Sequence, residues 1–205
     1  MMTYRLARLY PLLINPLLVP LYVAAAMLFC PTAFAAIVPL SYRLAVLAAF
    51  AIMAAILPLA VETYLRVKCR IPRGESVADR YRRWLCVSYA AMLLIAVFML
   101  RAAPLFSIVV PLMKGVAALW IMTAVSMALR KTTCRDMIFA GGMTAFLAIL
   151  AMSGAEMWTK MLCAALLVSG VGATAAVGLD RPTLAGSGVD YLLGAGAMLS
   201  GLYFL

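Results

Sequence analysis

Seven apolar runs, each about 20 residues long, occupy most of the chain: residues 11–30, 44–66, 84–102, 105–129, 137–155, 158–178 and 186–205. A run of that length crosses the hydrocarbon core of a bilayer as a single helix. In lipid every backbone N–H and C=O must find a partner within its own helix. The runs therefore predict an all-α, polytopic transmembrane helix bundle of about seven spans, or six if the first run does not cross. Composition agrees, since 67% of the 205 residues are hydrophobic, against about 45–50% in soluble domains. Mean hydropathy is +1.09. The short connections leave no room for a soluble module, and residues 1–205 read as one integral-membrane domain. Pro11, Pro16 and Pro20 are expected to kink the first run, because proline removes a helical hydrogen bond. Arg5 and Arg8 followed by an apolar stretch also fit a cleaved signal peptide. The length of the run and the spans after it favour a retained helix.

Charge distribution orients the bundle. With seven spans, the N-terminus shares a face with the loops at 67–83, 130–136 and 179–185. That face carries Arg5, Arg8, Arg66, Lys68, Arg70, Arg73, Arg80, Arg82, Arg83, Arg130, Lys131, Arg135 and Arg181, whereas the other carries only Arg43, Arg101 and Lys160. Loops rich in Lys and Arg stay cytoplasmic. The expected placement is the inner membrane of a cell, with a cytoplasmic N-terminus and a periplasmic C-terminus. The net charge of +10 thus reads as a membrane-orienting face that attracts anionic lipid headgroups, not as a nucleic-acid surface.

Several residue patterns bear on chemistry. Five cysteines (Cys30, Cys69, Cys86, Cys134 and Cys163) have no CxxC spacing, and the chain contains no histidine. The common zinc-ligand patterns are absent, and no metal or other cofactor is expected. Thr133-x-x-Asp136, Ser76-x-x-Asp79 and Ser187-x-x-Asp190 each precede an apolar run on the basic face and resemble capping boxes. Helix N-termini present unpaired N–H groups and a positive dipole end that favour phosphate. Arginines 73, 80, 82, 83, 135 and 181 lie near those ends in sequence, and guanidinium groups match phosphate geometry. These features suit a phosphate or headgroup pocket; capped helices beside topology-setting arginines account for them equally.

Four stretches in order resemble the small integral-membrane branch of the type 2 phosphatidate phosphatase superfamily: LLINPLLVPLYV, LPLAVETYLRVKCRIPRGESVADRYRRWL, RKTTCRDMIFAGGMTAF and SGVGATAAVGLDRPTLAGSGVDYLLG. The resemblance implies that family's helical core and a phosphate pocket at the cytoplasmic interface. In its active members one histidine is the nucleophile and another the general acid. Here the corresponding positions fall near Asp136 and on Asp180, the motif arginine falls on Thr174, and Lys131 matches the family lysine to within one residue. The resemblance therefore implies a catalytically degenerate relative that binds anionic phospholipid headgroups or a membrane-protein partner; Lys131 from the resemblance, and Arg73, Arg80, Arg135 and Arg181 from their places near the helix starts, are the candidate headgroup ligands. Asp136 and Asp180 are the candidate catalytic residues of the rival reading, an active phosphatidate or isoprenyl-phosphate phosphatase with altered residues. Aspartate can attack phosphorus, but it would need a separate general acid or a metal. If the fold is kept, Asp136 and Asp180 are expected to approach each other.

Two intramembrane charges support a second rival, a small-molecule transporter. Lys114 lies nine residues into the fourth run, roughly 13 Å deep at 1.5 Å per residue. A buried ionisable group is a functional candidate, and snorkelling toward the outer surface is the alternative. Glu62 stands four residues before Arg66, the spacing of a helical ion pair. No inverted repeat is visible to support transport. Small residues at Gly170, Gly172, Ala173 and Ala175, and at Gly194, Gly196 and Gly201, predict close helix packing.

Overall fold

The computed structural model describes residues 15–29, 38–68, 79–102, 106–107, 109–130, 133–152, 156–177 and 184–204. Among these residues the chain is mostly helix, with no strand. Helix α1 is Val19–Phe29. Helix α2 runs through Leu40–Ala51, a π-helical turn at Ile52–Ile56, and Leu57–Lys68. The remaining helices are α3 (Asp79–Leu100), α4 (Val110–Leu129), α5 (Arg135–Ala151), α6 (Glu156–Val177) and α7 (Leu184–Phe204). Leu40–Leu65, Tyr81–Leu100 and Val110–Leu129 are long and apolar enough to cross a membrane. Many large apolar side chains on their outer faces are exposed, among them Leu59, Ile95, Phe98 and Met99. Such a surface is a liability in water and matched to lipid.

The prolines of the first run do not kink its described part. The Asn15 side chain accepts the Leu17 N–H at 3.0 Å, and its carbonyl accepts the N–H groups of Leu18 at 2.8 Å and Val19 at 3.0 Å. Pro16 is the second residue of this turn and Pro20 the second residue of α1, positions next to a helix start where a missing N–H is tolerated. Pro11 lies outside the described residues. The 11 residues of α1 extend about 16 Å at 1.5 Å per residue, short of the roughly 30 Å hydrocarbon core.

The π-helical turn of α2 has an identifiable cause. Pro58 has no N–H to offer the carbonyl four residues earlier, and its ring crowds that carbonyl. The turn just before it widens, and the Leu57 N–H bonds to the Ile52 carbonyl, an i→i−5 bond. The Pro58 carbonyl accepts the buried Tyr89 hydroxyl of α3 at 2.8 Å.

The inner core sits where α4, α5 and α7 meet, with α3 against α4 and α6 against α5. Trp120 of α4 is its centre, 1% exposed. The rings of Tyr89 and Phe139 meet it edge-on, with centroids at 5.1 and 4.7 Å. Each aromatic pair contributes about 0.5–1.5 kcal/mol beyond its buried area.

The most extensive pairing, α5 with α7, is set by reciprocal glycines. A Cβ on Gly141 would overlap the Tyr191 carbonyl, and one on Gly194 would overlap the Ile138 carbonyl. Gly201 allows α7 the same approach to Ala118 and Gly115 of α4. In lipid, helices gain little from burying apolar side chains, so close backbone approach carries the association. The close packing expected at Gly194 and Gly201 is found, whereas added Cβ atoms at Gly170 and Gly196 would meet open space.

Candidate anion-binding cleft

One end of the bundle gathers polar side chains from four helices. Arg130 follows the last turn of α4, with extended backbone at φ −125° and ψ 140°. The turn in direction lets its side chain reach across to α7, where Nη1 donates to Oδ1 of Asp190. Asp190 is fully buried, while the Arg130 side chain is 31% exposed. The second carboxylate oxygen of Asp190 accepts the backbone N–H of Cys134 at 2.7 Å. One aspartate from α7 thereby ties down both the end of α4 and the start of α5.

These bonds correct two expected capping boxes. Cys134, not Thr133, is the N-cap of α5, and it makes no side-chain cap bond. The Thr133 hydroxyl instead lies 3.1 Å from the buried Ser126 hydroxyl of α4. Helix α7 begins at Leu184, so Ser187 and Asp190 lie inside it and are buried rather than at its N-cap. In the second case the acid takes tertiary partners in place of a local one, Arg130 and the Cys134 N–H, since a buried carboxylate must be paired or hydrogen-bonded. Ser76, the start of the third pattern, lies outside the described residues.

Beside this ion pair is a cleft of about 320 Å³ lined by Arg82, Arg83, Met127, Ala128, Leu129, Arg130 and Thr133. Among the described residues its lining holds three arginines and no acid, next to an apolar wall from the end of α4. Arg135 turns inward, its guanidinium carbon 6.0 Å from the centre of the Trp120 ring. Such a contact is worth roughly 0.5–2 kcal/mol according to how dry it is. Glu62 is half-buried on α2.

Asp136 is half-buried in the first turn of α5. Arg80 belongs to α3 by its backbone, and its side chain lies outside the described residues. Arg73, Lys131, Asp180 and Arg181 also lie outside them, as does the expected meeting of Asp136 with Asp180. The Glu62–Arg66 pairing involves the Arg66 side chain, likewise outside the described residues. Lys114 is far from this corner. Helix α4 begins at Val110 rather than near 105, so Lys114 is its fifth residue and lies closer to the helix end than the run implied. Sequence reasoning missed Arg130 and Asp190 as a pair. The available signal was an acid seven residues into a helix of 21, which is costly in lipid without a cation.

The fold and this corner define an all-helical protein with helices suited to a membrane and a basic cleft at one end of the bundle. No family model matches the chain, and no curated protein or solved structure matches it either.

Proposed function

We propose that the chain is an inner-membrane protein that holds the phosphate of an anionic phospholipid headgroup in the Arg82–Arg83–Arg130 cleft without cleaving it. The carrying observation is the cleft's lining: three arginines and an apolar wall of Met127, Ala128 and Leu129 at the end of a candidate membrane span. A phospholipid presents that same combination, an anionic phosphate above apolar chains. Guanidinium groups bind phosphate through paired N–H donors. In this reading all seven helices cross the bilayer, the basic end is cytoplasmic, and the scaffold is a type 2 phosphatidate phosphatase-like core whose histidine chemistry has been lost.

The test is flotation of purified protein with vesicles. Binding to phosphatidylcholine vesicles containing phosphatidate should exceed binding to phosphatidylcholine alone. Replacing Arg82 and Arg83 together with glutamine should lower it at least several-fold, since hydrogen bonds to charged groups contribute about 1.5–3 kcal/mol each. Phosphate release from phosphatidate or an isoprenyl phosphate should stay at the level of a heat-killed control. Release above that level, lost on Asp136→Asn, would make the protein an enzyme.

A further inference from the structure

Arg130 serves two masters: it lines the open cleft, its side chain partly exposed, and its guanidinium neutralises the buried Asp190. An anion entering the cleft therefore competes with Asp190 for one positive charge. Drawing Arg130 away from Asp190 would leave a buried carboxylate short of compensation, at a cost of several kcal/mol. A replacement donor stands one helical turn away. Ser187 is fully buried, and its hydroxyl has no hydrogen-bond partner among the described residues. Residues three apart on a helix are neighbours on one face, so Ser187 and Asp190 share the buried side of α7.

We propose that Asp190 is a two-position latch: with the cleft empty it holds Arg130, and with an anion in the cleft it turns to the Ser187 hydroxyl while Arg130 swings to the anion. This rests on the anion-binding reading of the cleft. An unpaired buried hydroxyl in a resting structure calls for an explanation, and a second arrangement of the neighbouring acid supplies one. The two arrangements have opposite preferences for the ligand, which is what coupling requires. The bond from the Cys134 N–H to Asp190 makes the start of α5 the segment that senses the change.

Three measurements separate the latch from the reading beneath it. The probes are phosphatidate-containing vesicles and, separately, inorganic phosphate, which distinguish a lipid-borne from a free phosphate. Ser187 is not one of the residues that line the cleft, and deleting its unpaired buried hydroxyl should leave thermal stability unchanged or higher. It should nevertheless weaken anion binding roughly 5-fold or more, and Asp190→Asn should strengthen binding by a similar factor. In the unaltered protein, the bound anion should speed alkylation of Cys134 by a soluble thiol reagent, read by peptide mass.

Binding that is undiminished in Ser187→Ala, with Cys134 labelling indifferent to the anion, would overturn the latch and leave the cleft reading standing. No binding of either probe to the unaltered protein would overturn both. Should Asp190→Asn fail to fold, the Ser187→Ala and Cys134 measurements decide the matter without it.

Discussion

A single carboxylate organises the polar end of this protein. Asp190 compensates Arg130 and satisfies the N–H of Cys134, the last residue before α5, so its two oxygens join three helices. Removing one partner of a buried pair costs more than the pair is worth, because the other charge stays behind. Arg130→Ala should lower unfolding stability by about 3 kcal/mol, the low end of the usual range because the arginine is partly exposed. Asp190→Asn should cost less, since it removes the charge, keeps an acceptor for Cys134 and leaves an arginine that can turn to solvent. Thermal unfolding in detergent, followed by circular dichroism, measures the difference. Equal losses in the two variants would show that the burial of Asp190 carries no penalty of its own. The exposed Lys160–Glu156 pair, 2.7 Å apart at i,i+4, is the contrast: breaking it should change stability by less than about 0.5 kcal/mol.

At the scale of the helix, shape rather than charge decides. Gly141→Ala or Gly194→Ala would drive a methyl group into a backbone carbonyl of the facing helix, which no rotamer change relieves. Each should cost about 3 kcal/mol or more, at or beyond the upper end for overpacked cores. Gly170→Ala and Gly196→Ala meet open space and should gain about 0.5–1 kcal/mol from helix propensity. The same unfolding assay ranks the four. The contrast also marks what the sequence could disclose. The apolar runs after the first located their helices to within about five residues, because hydrophobic length is written locally. The two kinds of glycine look alike in sequence, since what separates them is the facing helix. Ser187-x-x-Asp190 reads as a cap for a similar reason: pattern alone does not say that α7 starts at Leu184 and carries the acid inward. Arg130 was visible as a topology signal only, since its partner lies 60 residues away.

At the scale of the whole molecule, the arginines of the cleft and the parity of the spans make one connected prediction. The cleft joins the start of α3 to the end of α4, and the Arg130–Asp190 pair joins that end to the first third of α7. These three helix ends therefore share one face, and Arg82, Arg83, Arg130 and Arg135 lie on or beside it. Lys and Arg near helix ends are held on the cytoplasmic side, so α7 should enter the membrane from the cytoplasm and finish outside. A reporter fused after Leu205 should behave as periplasmic, whether or not α1 crosses, because that outcome depends only on α7 starting at the basic face. A second reporter at the N-terminus then isolates the first run. With a crossing α1 it should be cytoplasmic. With an α1 that stays short of the roughly 30 Å core, it should be periplasmic. A cytoplasmic signal after Leu205 would be the damaging result, since it would place the arginine cleft outside the cell, away from the anionic inner leaflet that the proposed headgroup site is built to meet.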